Sequence, residues 1–434
     1  MKVAFVSQPW EFPLRDSQLG SIPTWTYEVA RRLARNCDVI VYSRRGLSRQ
    51  KIEVDQKIHY RSLLAWGFIK FINLFTKFDD VKRPLFASSL YNLMYALQVA
   101  KDLRQQQCDI VHIHNFSQFA PIIRAFNPKI KIVLHMHCEW LTQLDSTMIA
   151  ERLCQVDLIV GCTEYITNKI RLKFPQFASR CQTIYNGVNI APSEQNDNIT
   201  TNKAINKRLL FVGRISPEKG VHILLDAFQK VAWHYPEVQL EIIGPEAVAP
   251  LEYIVALSDE DKVKDLAVFY SESYLLQLQK RLPSELASQV RFTGFVPYSQ
   301  LHNHYVNADV LVNPSLSEAF GMSLAEAMAA EIPVVAARVG GMTEVVAEGK
   351  TGLLFDSGDA SALAEVLLHL LSDEELRKSM GKAGRQRVLE LFSWDRIAQN
   401  TLSQYKNICN SYEKITLESP SSPVLQTTHD TVGE

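Results

Sequence analysis

Short apolar runs rich in Val, Ile and Leu alternate with longer stretches of helical spacing from the first residue to about residue 370. Each run is continuously apolar, the pattern of strands covered on both faces, so the alternation predicts parallel sheets with helices on either side. The runs predict strands at 3–7, 38–42, 110–114, 131–136 and 158–161 in a first half, and at 209–212, 239–243, 290–293, 310–313 and 333–336 in a second. Between the halves, 191–207 is rich in Asn, Thr, Ser and Asp and has no aromatic residue, which predicts a linker with the hinge beside it. A new helical pattern opens at Phe392-Ser393-Trp394-Asp395 and runs to about Ile408. The Ser, Pro and Thr content of the tail after it, 411–434, predicts disorder. Two stretches fall outside a minimal pair of Rossmann-like units: aromatic-rich 61–100, and the charged, helix-like 246–289 between two second-half strands. Insertions of this kind carry specificity or contacts more than they carry fold.

A chain of 434 residues exceeds what one core supports, which agrees with two domains. Lys and Arg total 46 against 47 for Asp and Glu, so no global field favours nucleic acid. Residues 1–85 nevertheless hold fifteen basic against eight acidic side chains, an excess of seven. The seven cysteines are odd in number and widely spaced, with no metal or disulfide pattern, which fits a reducing cytosol. The apolar opening is too short for a signal peptide, and no run approaches the roughly 20 residues that span a bilayer. The expectation is a cytoplasmic protein whose membrane contact, through 61–85, is at most peripheral. Within that region 65–78 reads as a helix with Lys70, Asn73 and Lys77 on one face and large apolar side chains elsewhere, which suits a membrane surface or packing on the first domain.

The sharpest local signal is Phe211-Val212-Gly213-Arg214-Ile215-Ser216-Pro217-Glu218-Lys219-Gly220, a strand ending at a glycine with a helix predicted just after Gly220. Open α/β sheets bind ligands at such strand ends. Gly213 admits close backbone approach, Arg214 offers a forked grip on phosphate oxygens and Lys219 a point charge, a set suited to a diphosphate. The plain alternative is a strand-loop-helix with solvated charges. The second signal is Asn313-Pro314-Ser315-Leu316-Ser317-Glu318-Ala319-Phe320-Gly321-Met322-Ser323-Leu324-Ala325-Glu326. A helix starting near Gly321 leaves the N–H groups of Phe320, Gly321, Met322 and Ser323 to hold an anion. Glu326 then sits about 7 Å along the helix axis, within reach of a ribose, while Glu318 in the loop meets a sugar.

These residues resemble glycosyltransferase family 4, retaining enzymes of the GT-B fold: two Rossmann-like domains whose parallel sheets face each other across a cleft. Glu318 and Glu326 match the family's paired glutamates, Arg214 and Lys219 its phosphate-binding pair, and Asn186-Gly187-Val188-Asn189 its crossover. Gly294-Phe295-Val296, Gly340-Gly341, Glu344 and Gly352-Leu353-Leu354 continue the pattern. The resemblance implies an acceptor-binding domain 1–190 completed by a helix at 394–410, and a nucleotide-sugar-binding domain 191–393. It also implies a nucleotide-diphosphate sugar donor, a saccharide or lipid-linked acceptor, a donor pocket that includes Phe295 and Val296, and no metal or other cofactor. Where the family commonly has Gly-Gly before its first helix, this chain has Leu19-Gly20-Ser21, leaving Gly20 to approach the donor. The family places a histidine at a first-domain strand end; His135 and His137 alternate onto one side of the strand, and His137, at its end, is the expected partner of the donor sugar. A zinc site from these histidines would need spaced Cys or acidic partners, which the sequence does not show. The rival readings are a GT-B epimerase or phosphorylase and a catalytically silent nucleotide-sugar-binding subunit.

Overall fold

The computed structural model describes residues 1–11, 20–44, 52–55, 57–63, 80–190 and 207–417. The first half forms a sheet of β1 (Lys2–Val6), β2 (Asp38–Arg44), β3 (Ile52–Asp55), β4 (Ile58–Leu63), β5 (Ile110–His114), β6 (Lys131–Met136), β7 (Leu158–Gly161) and β8 (Cys181–Thr183). Their spatial order is β3-β4-β2-β1-β5-β6-β7-β8, parallel throughout except for the β3–β4 pair. The second sheet holds β9 (Arg208–Val212), β10 (Gln239–Ile243), β11 (Val290–Gly294), β12 (Val310–Asn313), β13 (Val334–Ala337) and β14 (Gly352–Phe355), ordered β11-β10-β9-β12-β13-β14 and parallel throughout. All ten strands expected from apolar runs are present, within a residue or two at their ends.

Four strands escaped the pattern. β3, β8 and β14 are edge strands, paired on one side only, and a short or polar segment suffices there. β4 alternates polar and apolar positions beside the edge. The stretch 61–100 is therefore not one insertion: Arg61, Ser62 and Leu63 end β4, and Leu93–Gln106 is an ordinary crossover helix leading to β5. The predicted surface helix at 65–78 lies outside the described residues, as do most of the linker 191–207 and the tail from 418. No helix among the described residues is long and apolar enough to cross a membrane.

The last helix, Trp394–Leu417, returns to the first half. Its Trp394, Ile397 and Tyr405 are buried with Val3, Phe5 and Trp25 against one face of the first sheet. Burial on this scale contributes about 1.5–3 kcal/mol per large apolar side chain. The helix continues nine residues past the predicted Ile408, so 411–417, expected to be disordered, is helical. It meets no helix breaker before Pro420, whose ring disfavours helical backbone in the residue ahead of it. The segment 246–289 is a string of short turns and helices that leaves the second half at Gly244 and rejoins the sheet at β11.

Candidate active site

In the second half, β9 delivers Gly213 and Arg214 at its C-terminal end. The Arg214 guanidinium donates to Ala247 O at 3.0 Å and to Glu218 Oε1 at 2.8 Å. Glu218 is buried, and its other oxygen accepts from the Ser216 hydroxyl, so the carboxylate is fixed on both oxygens and aims Arg214. Lys219 ends the turn Pro217–Lys219 and donates to Glu318 Oε2 at 2.8 Å. Gly220 follows with φ +68°, and a Cβ there would stand 2.1 Å from Pro314 O, so backbone of the Arg-Lys turn packs directly on the loop that carries Glu318. Burial pulls the Glu318 carboxyl up, but the Lys219 ammonium and its hydrogen bond, with smaller help from the Phe320 N–H and Arg214, hold it below the usual range.

Glu326 lies on the helix Met322–Ala329 and accepts from Tyr305 Oη at 2.6 Å. Burial raises its pKa to about 7, against downward pulls from the Tyr305 and Tyr298 hydroxyls. Two phenols use part of its acceptor capacity, and a carboxylate has about four acceptor positions, so room remains for two further hydroxyl donors.

From the first half, His137 stands just past the end of β6. Its tautomer follows from its neighbours. Thr26 spends its one hydroxyl proton on Ile22 O at 3.0 Å, so it accepts from His114 Nε2 at 2.9 Å. His114 Nδ1 is then an acceptor, and His137 Nε2–H donates to it at 3.0 Å. Burial pushes His137 down to about 3, against a smaller pull from Asn186, so the ring is neutral throughout the working range. A parallel chain runs from Tyr405 Oη to His112 Nδ1 at 2.7 Å and from His112 Nε2 to His135 Nδ1 at 3.1 Å. Ring nitrogens of His112, His114 and His135 come within 4.8 Å of one another. His135 is fully buried, and of the two candidates His137 is the one that reaches the cleft.

A cavity of about 530 Å³ brings Gly20 together with Gly213, Arg214, Lys219, Glu318 and Glu326, and Phe295, Val296, Met322 and Ser323 complete its wall. A neighbouring cavity of about 700 Å³ shares Gly20, Arg214, Lys219 and Glu318 and adds His137. Phe320 and Gly321 line neither cavity: the Phe320 ring packs on Tyr185 and Phe392, so only its backbone N–H, 3.5 Å from Glu318 Oε1, points toward the site. Gly321, at φ +92°, supplies the turn into the helix.

Side chains outside the expected site residues hold the halves together across the cleft. Glu344 of the second half accepts the N–H groups of Glu164 at 2.8 Å and Tyr165 at 2.5 Å, capping the first-half helix Glu164–Lys173. Thr163 Oγ1 donates to Ala319 O at 3.0 Å, one residue from Glu318. Glu218, Tyr305 and Tyr298 were also missed, because their partners are set by folding.

Residues 193–387 match the family described as glycosyl transferases group 1, and residues 22–191 match Glycosyltransferase Family 4. The chain belongs to glycosyltransferase family 4. Relatives of this family 4 glycosyltransferase include spore coat protein SA of Bacillus subtilis, 26% identical over 424 residues, covering 94% of this chain and 99% of the relative. Another is the lipopolysaccharide 1,2-N-acetylglucosaminetransferase of Salmonella typhimurium, 26% identical over 420 residues and covering 94% and 98% of the two chains. Among solved structures, sucrose-phosphate synthase from Thermosynechococcus elongatus superposes with a TM-score of 0.72 at 19% identity, covering 94% of this chain and 99% of its own. Anabaena HepE in complex with UDP-glucose does so with a TM-score of 0.64 at 19% identity, covering 95% and 100%. The family 4 chain has their GT-B fold.

Proposed function

We propose that this chain is a retaining, metal-independent glycosyltransferase that moves a sugar from a nucleoside diphosphate donor to a saccharide or lipid-linked acceptor. The reading rests on one observation: the Arg214–Lys219 pair and Glu318 from one half meet Gly20 and His137 from the other at one pair of adjoining cavities. Departure of the nucleotide places charge on the β-phosphate, and preorganised cations lower that barrier most in a dry cleft. Arg214, Lys219 and the first N–H groups of the helix Met322–Ala329 supply that field. The acceptor attacks from the face the phosphate leaves, and the departing phosphate takes its proton, so Glu318 and the neutral His137 orient sugar hydroxyls and no side chain attacks.

UDP is the first nucleotide to test, because the Anabaena HepE structures hold UDP and UDP-glucose. Incubation with UDP-, GDP- and ADP-sugars should release nucleotide and yield a product that keeps the donor's anomeric configuration by NMR. Activity should survive excess EDTA; loss that Mn²⁺ restores would overturn the metal-independent mechanism.

Glu326 is proposed to hold the ribose hydroxyls. Its pKa of about 7 makes it mostly neutral at pH 6 and ionised at pH 8. The ionised form is the better acceptor, so donor affinity is expected to rise about tenfold between those pH values. Glu326→Gln should flatten that profile in calorimetry, and a profile of wild-type slope in the variant would remove Glu326 from the ribose site.

A further inference from the structure

The 700 Å³ cavity extends past the donor residues to a wall built by Trp10, Trp140 and Tyr253. Tyr253 belongs to the segment 246–289 of the second half, yet its carbonyl accepts the Trp140 indole N–H of the first half at 2.9 Å. Its ring packs on Phe86 at 4.5 Å and its hydroxyl meets Tyr91 Oη at 3.4 Å. The same segment supplies Ala247 O to Arg214, so one stretch of chain links the phosphate grip to this wall. Trp10 leans on Phe116 at 5.2 Å and toward Tyr253 at 6.4 Å between ring centres, and 37% of it stays exposed.

Carboxamides and carboxylates surround the wall. Gln8, Asn115 and Gln143 line it. Asn115 Oδ1 accepts the His137 main-chain N–H at 2.8 Å, which leaves its amide protons to donate. Glu11 takes Gln8 N at 3.0 Å and Gln8 Nε2 at 2.9 Å on its two oxygens, and Glu139 is held by Lys169 at 2.5 Å and Tyr165 at 2.8 Å. Among the described lining residues the cations are Arg214 and Lys219, which the donor's diphosphate engages. An exposed aromatic face with amide donors and acceptors beside it matches the apolar face and hydroxyl rim of a pyranose, and neither Glu139, paired with Lys169, nor Glu11, whose pKa burial raises to about 7, offers a phosphate any attraction.

Building on the proposed transferase activity, we infer that this wall is the acceptor subsite and that it takes an uncharged sugar ring, stacked on Trp10, in preference to a sugar phosphate. The 246–289 segment is thereby part of acceptor selection. A free saccharide and a lipid-carried one present the same ring, so the acceptor panel contains methyl hexosides, the same hexoses on an undecyl chain, and the corresponding hexose 6-phosphates. Each is assayed with the full-length protein and whichever nucleotide sugar gives nucleotide release. Calorimetry with UDP, GDP and ADP reports the donor site separately: no nucleotide binding sinks the transferase reading itself. The expected result is faster release with a neutral hexoside than with its 6-phosphate by at least tenfold, on either the methyl or the undecyl carrier. Trp10→Ala should raise the acceptor KM tenfold or more with an unchanged nucleotide Kd, and Trp10→Phe should recover most of the loss. A preferred sugar phosphate, an acceptor KM that ignores Trp10→Ala, or a protein that binds and hydrolyses donor while using no neutral sugar would each overturn the inference.

Discussion

Arg214→Ala and Lys219→Ala are each expected to lower sugar transfer by about 10²–10³-fold, the usual consequence of removing one preorganised donor from a developing oxyanion. Donor affinity should fall as well, since a charge-assisted phosphate contact serves the ground and transition states alike. Both variants strip a carboxylate of its cation, Lys219→Ala the part-buried Glu318 whose pKa the ammonium holds down and Arg214→Ala the 1% exposed Glu218, so both should lose stability. Pairing Lys219→Met with Glu318→Gln should restore stability and leave transfer abolished. Steady-state kinetics, nucleotide calorimetry and thermal unfolding read the three effects apart, and wild-type kinetics in either single variant would end the phosphate assignment.

Gly220→Ala should be among the most damaging small substitutions near the site. Its backbone lies at φ +68°, where an L side chain costs about 1–2 kcal/mol, and the new Cβ would meet Pro314 O at 2.1 Å. That oxygen is main chain and cannot rotate away, so the loop leading to Glu318 must move. A loss of about 3 kcal/mol or more is expected, or roughly 6–12 °C in the unfolding of a domain this size. Gly349→Ala is the control: φ is +72° and nothing lies within 4 Å of the added Cβ, so it isolates the backbone cost. Equal melting temperatures for the two variants would show that the contact with Pro314 does not constrain the turn.

Much of this was legible before folding. Apolar runs announced ten strands, most of them buried, because a strand covered on both faces has no polar side. The site residues Arg214, Lys219, Glu318 and Glu326 stood out because strand-end glycines and a helix start set their surroundings within a few positions. His137 stands two positions beyond His135, just past the strand end, which leaves one ring in the core and takes the other to the cleft. Three of the four edge strands stayed hidden, and Phe320 turns its N–H, not its ring, toward the site.

Sequence by itself therefore determined the parallel α/β architecture, the residue types at the candidate site and the turn that presents them, because each depends on spacing and residue type within about ten neighbours. Tertiary structure alone decided which partner each charge received. Lys219 meets Glu318 across 99 positions, and Glu344 caps a helix start 180 positions away. It also decided that the segment 246–289 bends back to complete an aromatic wall with Trp10 and Trp140. The first contact depends on which strands become neighbours in one sheet and the others on how two separately patterned halves close on each other, and periodicity along the chain carries no record of either.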